Sequence, residues 1–311
     1  MALEAAERSG WTVGATYLLH NLGVIESDLG HVDEALRLYG RVLAVSDGPE
    51  FAHIRAVTLN DLGTTCTKAG DLPGAVRYLT EALALNEGSD RHPSAAANRA
   101  NLGAALRQLE QFEPAREHLE SALRYYRGIA SPIGEMALLE ELSRLHCRRG
   151  QCDAAVRDGA EALRIARKIN DSMSEAGCLN ALGSALLGRR ELTNARNRFE
   201  EAVRISKEFG YLHSEVQGRV GLAETALASG DPHAAQAVAA AALRMADGQS
   251  YRLLAADALL VRAQAALRTG DPGAAEQFCR EARVRYEAAG VTGRARDCDV
   301  LISRATARGS R

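Results

Sequence analysis

Lysine is nearly missing from this 311-residue chain: Lys68, Lys168 and Lys207 are the only three, so thirty-five of the 38 basic residues are arginine. With alanine so abundant, that bias points to a G+C-rich bacterial source. Net charge is nearly missing too. At −2 it excludes bulk attraction to nucleic acid or to an acidic lipid surface. No apolar run approaches the roughly 20 residues that a membrane-spanning helix needs. The N-terminus lacks a basic segment followed by an apolar one, so no signal peptide is read there. The six cysteines have no paired spacing and read as free thiols of a reducing compartment, which makes a cytoplasmic location the expectation. No His-Glu-x-x-His, no glycine-rich phosphate loop and no Cys-x-x-Cys occurs. The expectation is therefore a protein that is not an enzyme, with no metal and no cofactor.

What the chain does have is a period. Ala35, Ala75, Ala115, Ala155, Ala195, Ala235 and Ala275 stand 40 residues apart. Twelve residues before each is a small residue: Gly23, Gly63, Gly103, Ser143, Gly183, Ala223 and Ala263. Seven residues after each is another: Val42, Ala82, Ala122, Ala162, Ala202, Ala242 and Ala282. A fixed step of this size marks a solenoid, in which each unit buries its apolar face against its neighbours. Within residues 172–210, Leu179, Leu182 and Leu186 form one helical stripe, and Leu192, Ala195, Phe199, Ala202, Val203 and Ile205 form a second. Each unit is thus expected to be a helix pair. Gly30, Gly70, Gly150, Gly230 and Gly270 stand where the first helix must stop. Asp71, Asp231 and Asp271 follow as N-caps, with Pro232 and Pro272 at the first helical position.

Leu19-Leu22-Gly23-Ala35-Tyr39-Val42 carries a pattern seen again in Leu59-Leu62-Gly63-Ala75-Leu79-Ala82 and in Leu179-Leu182-Gly183-Ala195-Phe199-Ala202. It resembles the tetratricopeptide repeat (TPR), whose common length is 34 residues. The longer unit here is similar to those of kinesin light chain, of Pins/LGN adaptors and of bacterial peptide-sensing regulators. The resemblance implies an all-α solenoid, a right-handed superhelix of antiparallel helix pairs. Arrays of this kind also resemble the C-terminal regions of SARP-type and MalT-like bacterial transcription regulators. A ligand- or partner-sensing region of such a regulator is the leading functional expectation. A stand-alone scaffold for complex assembly is the alternative.

One array is expected over residues 1–311: a lone helix at 1–10, seven pairs over 12–290, and a capping helix at 293–307. Ala2–Trp11 matches Ala202–Tyr211 at an offset of five periods, so the chain opens on the second helix of a repeat. A piece of a longer protein and a natural capping helix both fit that start. Units six and seven are eroded. Arg262 and Arg283 replace aliphatic residues and Ala234–Ala242 is mostly alanine, so this end is expected to be the least stable. Trp11, Phe51, Tyr211 and Tyr251 share one phase and read as packing anchors between units.

In TPR superhelices the face of the first helix opposite its leucine stripe lines a concave groove. Carried over by position, the groove residues include Tyr17, His20, Asn60, Thr64, Arg107, Glu140, Arg144, Asn180, Ser184, Gln217 and Glu224, with Asn101 one register away. Asparagine offers donor and acceptor together, which suits the backbone of an extended peptide. Asn101, with Asn21, could instead pair with neighbouring helix ends. Glu140 and Arg144 stand at i,i+4 and are expected to pair with each other or with Arg107. Arg144, Arg148, Arg149, Arg164, Arg167, Lys168, Arg189 and Arg190 could form a basic patch across units four and five or simply solvated turns. The expected partner is a protein or peptide segment, with other domains of a parent protein and self-association as further options. Nucleic acid and membrane are not expected partners.

Overall fold

The computed structural model describes Arg8, residues 10–88 and residues 92–309. The lone helix expected over residues 1–10 lies almost wholly outside the described residues. Fifteen α-helices follow: α1 (Thr12–Asp28), α2 (Val32–Val45), α3 (Ala52–Ala69), α4 (Leu72–Glu87), α5 (His92–Gln108), α6 (Phe112–Gly128), α7 (Pro132–Arg148), α8 (Cys152–Ile169), α9 (Ser172–Gly188), α10 (Leu192–Phe209), α11 (Leu212–Ala228), α12 (Pro232–Gly248), α13 (Arg252–Thr269), α14 (Pro272–Ala288) and α15 (Thr292–Gly309). Successive helices pair as α1/α2 through α13/α14, and α15 packs on α14. No strand occurs among the described residues. The fold is an all-α solenoid.

Both turns of a unit share one geometry. Left-handed backbone recurs at Gly10, Gly30, Gly70, Glu110, Ala130, Gly150, Asn170, Arg190, Gly210, Gly230, Ser250, Gly270 and Gly290. These positions stand at odd tens, so the 40-residue period is two 20-residue halves with a common cap; the exception among the described residues is at 50, where α2 stops at Val45 and a 3-10 turn over Pro49–Phe51 follows. Asp71 caps α4 by accepting from the Gly74 amide at 3.0 Å. Asp231 and Asp271 accept from the amides of Ala234 and Ala274, both at 2.9 Å.

The small residues sit where helices touch. All seven periodic alanines, Ala35 to Ala275, are fully buried. Phe199 is held between two glycines: a Cβ on Gly183 would fall 2.8 Å from its ring, and one on Gly221 only 2.3 Å away. Ala195, on the same helix, has no free space above it. Ala195→Leu is expected to cost about 1–3 kcal/mol by overpacking this contact, with no change in surface charge. An unaltered thermal midpoint would exclude that packing.

The superhelix then closes on itself. α13 lies against α3, nearly one turn of superhelix away in the chain. Val32 and Ala69 share a buried cluster with Ala246, Tyr251 and Ala255. Leu72 is fully buried with Ala256, Leu259, Ala289 and Val291. The Ser250 hydroxyl donates to Asp33 at 3.3 Å, and the Gly293 amide, in the first turn of α15, donates to Glu110 at 2.8 Å. Units six and seven are therefore not a free end. The seam gives them a second set of apolar partners, which offsets the eroded consensus. Their two misplaced arginines also find partners: Arg262 stacks 3.9 Å above the Phe278 ring, and Arg283 donates to Asp299 at 3.0 Å. Trp11 differs from its phase mates. Phe51 and Tyr251 are buried, but the Trp11 ring lies over Gly14 and stays 63% exposed.

Candidate ligand lumen

Closure turns the expected open groove into a lumen lined by the first helix of each pair. Two cavities lie along it. The smaller, about 160 Å3, is bordered by Lys68, Arg107, His213, Gln217, Asp257 and Tyr286, among others. The larger, about 660 Å3, is bordered by Ser184, Leu187, Arg190, Glu224, Leu227, Gln264 and Arg268, among others. Arg148 and Arg294 border both, so the two cavities adjoin. Of the groove residues read from the sequence, Arg107 and Gln217 line the smaller cavity, and Ser184 and Glu224 the larger.

The other groove residues are committed between helices. Asn60 accepts from Asn98 at 2.9 Å and from Asn101 at 2.8 Å, and donates to Asp61 at 3.0 Å. Asn98 in turn accepts from Asn86 at 2.7 Å. This asparagine ladder ties units two and three together, and Asn101 pairs there with a mid-helix side chain rather than with a helix end. Thr64 donates to the Asp61 carbonyl at 2.9 Å. His20 is buried against Thr58, 3.1 Å from its hydroxyl, and burial lowers its pKa against the opposing pull of Asp61. Tyr17 remains partly exposed on α1. Asn180 is the clearest departure. It is 0% exposed and donates to the Ser214 carbonyl at 2.9 Å, while its Oδ1 faces Gly218 with no donor. Helix α9 packs on both α7 and α11 as well as on its partners, so no open face is left at that register.

The charged centre is a network. Arg144 donates to Glu140 at 2.6 Å, to the Gly177 carbonyl at 3.1 Å and to Gln217 at 3.3 Å. Arg107 donates to Glu141 at 3.0 Å. Burial raises the pKa of Glu140, opposed by Arg144, whereas Arg107 and Arg144 together hold Glu141 below the usual carboxylate range. Burial also raises Glu224, opposed by Arg294.

Charge in the lumen is unbalanced. Arg107 is matched by Glu141, Arg148 by Glu110 at 2.5 Å, and Arg294 by Asp257 at 3.1 Å. Arg190 and Arg268 make no ion pair among the described residues, and Arg268 reaches the Leu227 carbonyl; Lys68 makes none either, but it favours the charged form of Asp61. Glu224, on the border of the larger cavity, is acted on by Arg294 and Arg148 rather than by these three. Most other turn arginines are neutralised on the surface: Arg149 by Glu113, Arg164 by Glu161, Arg167 by Glu175 and Glu201, and Arg189 by Asp153 and Glu191. They form no patch of free positive charge.

Nucleophilic chemistry has little to work with here. Cys147, beside the larger cavity, has its thiol pushed up to about 11 by burial, so it stays protonated. No cluster of potential metal ligands occurs among the described residues. Lys68, His213, Arg268, Tyr286 and Arg294 escaped the sequence reading. Lys68, Arg148 and Arg268 share a phase, one residue beyond the predicted groove positions and just before the turn. Arg294 and Tyr286 enter only because the superhelix closes.

A helix-pair solenoid with a polar inner face defines the class. The chain belongs to the tetratricopeptide repeat family: one profile of that family matches residues 12–88, 54–128 and 135–208, and a second matches 220–290. No curated protein matches it. Among solved structures it is similar to the Rap conjugation gene regulator of plasmid pLS20 in complex with the Phr* peptide, with a TM-score of 0.74, 15% identity, and coverage of 91% of this chain and 77% of that one. It is similar to NprR in complex with its cognate peptide NprX, with a TM-score of 0.68, 13% identity, and coverage of 87% and 78%. The tetratricopeptide sensor-bearing STAND protein PH0952 of Pyrococcus horikoshii aligns with a TM-score of 0.56 and 17% identity, covering 96% of this chain but 48% of that one. At these identities the likeness is one of fold.

Proposed function

We propose that the lumen holds an extended protein or peptide segment that carries carboxylates, and that the chain acts as the sensing part of a bacterial transcription regulator. The observation that carries the first half is the surplus of cations bordering the cavities, Lys68, Arg107, Arg148, Arg190, Arg268 and Arg294 against Asp257 and Glu224, with Arg190 and Arg268 in no ion pair among the described residues. Charge-assisted hydrogen bonds from such groups are about twice as strong as neutral ones, and an enclosed site screens them little. The apolar borders, Leu187 and Leu227, leave room for an aliphatic side chain between the charges. Two similar folds were solved with a peptide bound and a third carries a sensor of this kind, which supports the regulatory context.

The test is fluorescence anisotropy with labelled heptapeptide pools of acidic, neutral and basic composition. The acidic pool is expected to bind. Lys68→Gln with Arg190→Gln should weaken it by about tenfold per cation, with the thermal midpoint kept. Preference for the neutral or basic pool would overturn the charge assignment, and binding of no pool would remove the peptide reading.

A further inference from the structure

The seam that closes this superhelix uses an edge that continues past it. Its upper half is the row of turns between units: Tyr251 and Val291 are buried there, and Leu253 lies against Gly70. Its lower half is the row of turns within units, where Gly70 and Pro73 stand under Leu253 and Gly290. The 40-residue period places the same upper edge on units three to five. There it is bare. Ile133 is 64% exposed and Met173 58%, in the phase of Leu253. Ile129 and Phe209 are exposed in the phase of Ala289, which is buried. The charges beside the stripe cancel locally, Arg127 with Glu135 and Arg167 with Glu175. The lower edge also recurs bare at Gly230-Asp231-Pro232 and Gly270-Asp271-Pro272, which repeat the Gly70-Asp71 turn of the seam. Gly273, in the phase of Pro73, is exposed with open space around it.

We infer that the chain binds a second copy of itself head to tail, the within-unit turns of units six and seven of one copy seating on the Ile129–Phe209 edge of the next. The contact repeats between molecules the seam already made within one. Contiguous exposed apolar residues of this kind mark association surfaces. The two halves differ, so the interface is heterologous and open-ended, and it can add a third copy by the same contact. This inference stands apart from the lumen reading: Leu253 and Val291 of the seam border the smaller cavity, but Ile129, Ile133, Met173, Phe209 and Gly273 border neither.

Sedimentation velocity across a concentration series tests it. The unaltered chain should show a weight-average mass that rises at least twofold with concentration. Ile133→Asp with Met173→Asp should hold it monomeric, and so should Gly273→Arg. All three positions are exposed, so circular dichroism melts should stay unchanged. Mixing the two variants should restore a dimer and nothing larger, because each keeps one intact edge. A chain that stays monomeric at its highest soluble concentration overturns the inference. So does association that survives Gly273→Arg, which would mean a symmetric contact of another kind.

Discussion

Arg144→Met is expected to destabilise the protein by about 3 kcal/mol at neutral pH, the low end of the cost of breaking a buried ion pair. The side chain is 13% exposed and its partner Glu140 17%, so this residual exposure keeps the penalty at the low end. Three units lose a tie at once. Glu140 and Glu141 lie in unit four, the Gly177 carbonyl in unit five and Gln217 in unit six. Methionine fills most of the volume but leaves two adjacent carboxylates facing each other with Arg107 alone between them. Burial already raises Glu140, and loss of Arg144 removes the main force opposing that rise. A carboxyl with a raised folded pKa contributes stability below its unfolded pKa and loses it as pH rises through the folded one. The gap between the variant and the parent should therefore be widest at pH 7–8 and shrink as pH falls through the carboxylate range. Urea titrations at several pH values measure it. A gap that does not change with pH would show that Glu140 is not the group left stranded.

The period made the fold legible because it is local. A small residue every 40 positions, a left-handed turn and an aspartate cap are decided within one unit and its nearest neighbour. Ala195 against Phe199, and Asp271 capping α14, could be read without any long-range information. Closure could not. It depends on a small rotation per unit summed over several units, on residues outside the consensus such as Leu72, and on Tyr251 packing against a distant unit rather than only its neighbours. The candidate site was legible to the same extent. Helix geometry placed Ser184, Gln217 and Glu224 on the inner face, and they border the lumen. The same geometry put Asn60 and Asn180 there, yet Asn60 bonds to unit three and Asn180 donates to unit six with its Oδ1 left buried without a donor. A helix has more than two faces when its neighbours before and behind are also helices. Gly177 and Gly218 let those neighbours close over Asn180: a Cβ on Gly177 would meet the Glu140 carboxylate at 2.7 Å, and one on Gly218 the Asn180 Oδ1 at 3.0 Å.

Acid should weaken the closed state through His213. Its ring packs edge-on to Tyr251, with centroids 5.1 Å apart, and borders the smaller cavity beside Lys68. Burial is the first cause that lowers its pKa, to about 4, and Lys68 and Arg144 push the same way. Asp257, the carboxylate bordering the same cavity, is engaged by Arg294 and by the Tyr286 hydroxyl. The sign follows from the depressed value. The unfolded chain takes up a proton near pH 6.5, whereas the folded chain refuses it until about pH 4. Stability is complete above pH 6.5 and is lost progressively as pH falls towards 4. At 1.36 kcal/mol per pKa unit, the whole loss is about 3 kcal/mol. His20 and His118, also lowered by burial, add to it with the same sign. His213→Gln removes one contribution alone. Its denaturation free energy should fall less between pH 7 and pH 4 than that of the parent, by about 3 kcal/mol. Hydrogen exchange at pH 4.5 should locate the weakening in α11 and α13, where His213 and Tyr251 join units six and seven to the seam. Parallel stability curves for the two proteins would mean that His213 is hydrated enough to carry its proton in the fold, and that the seam holds without it.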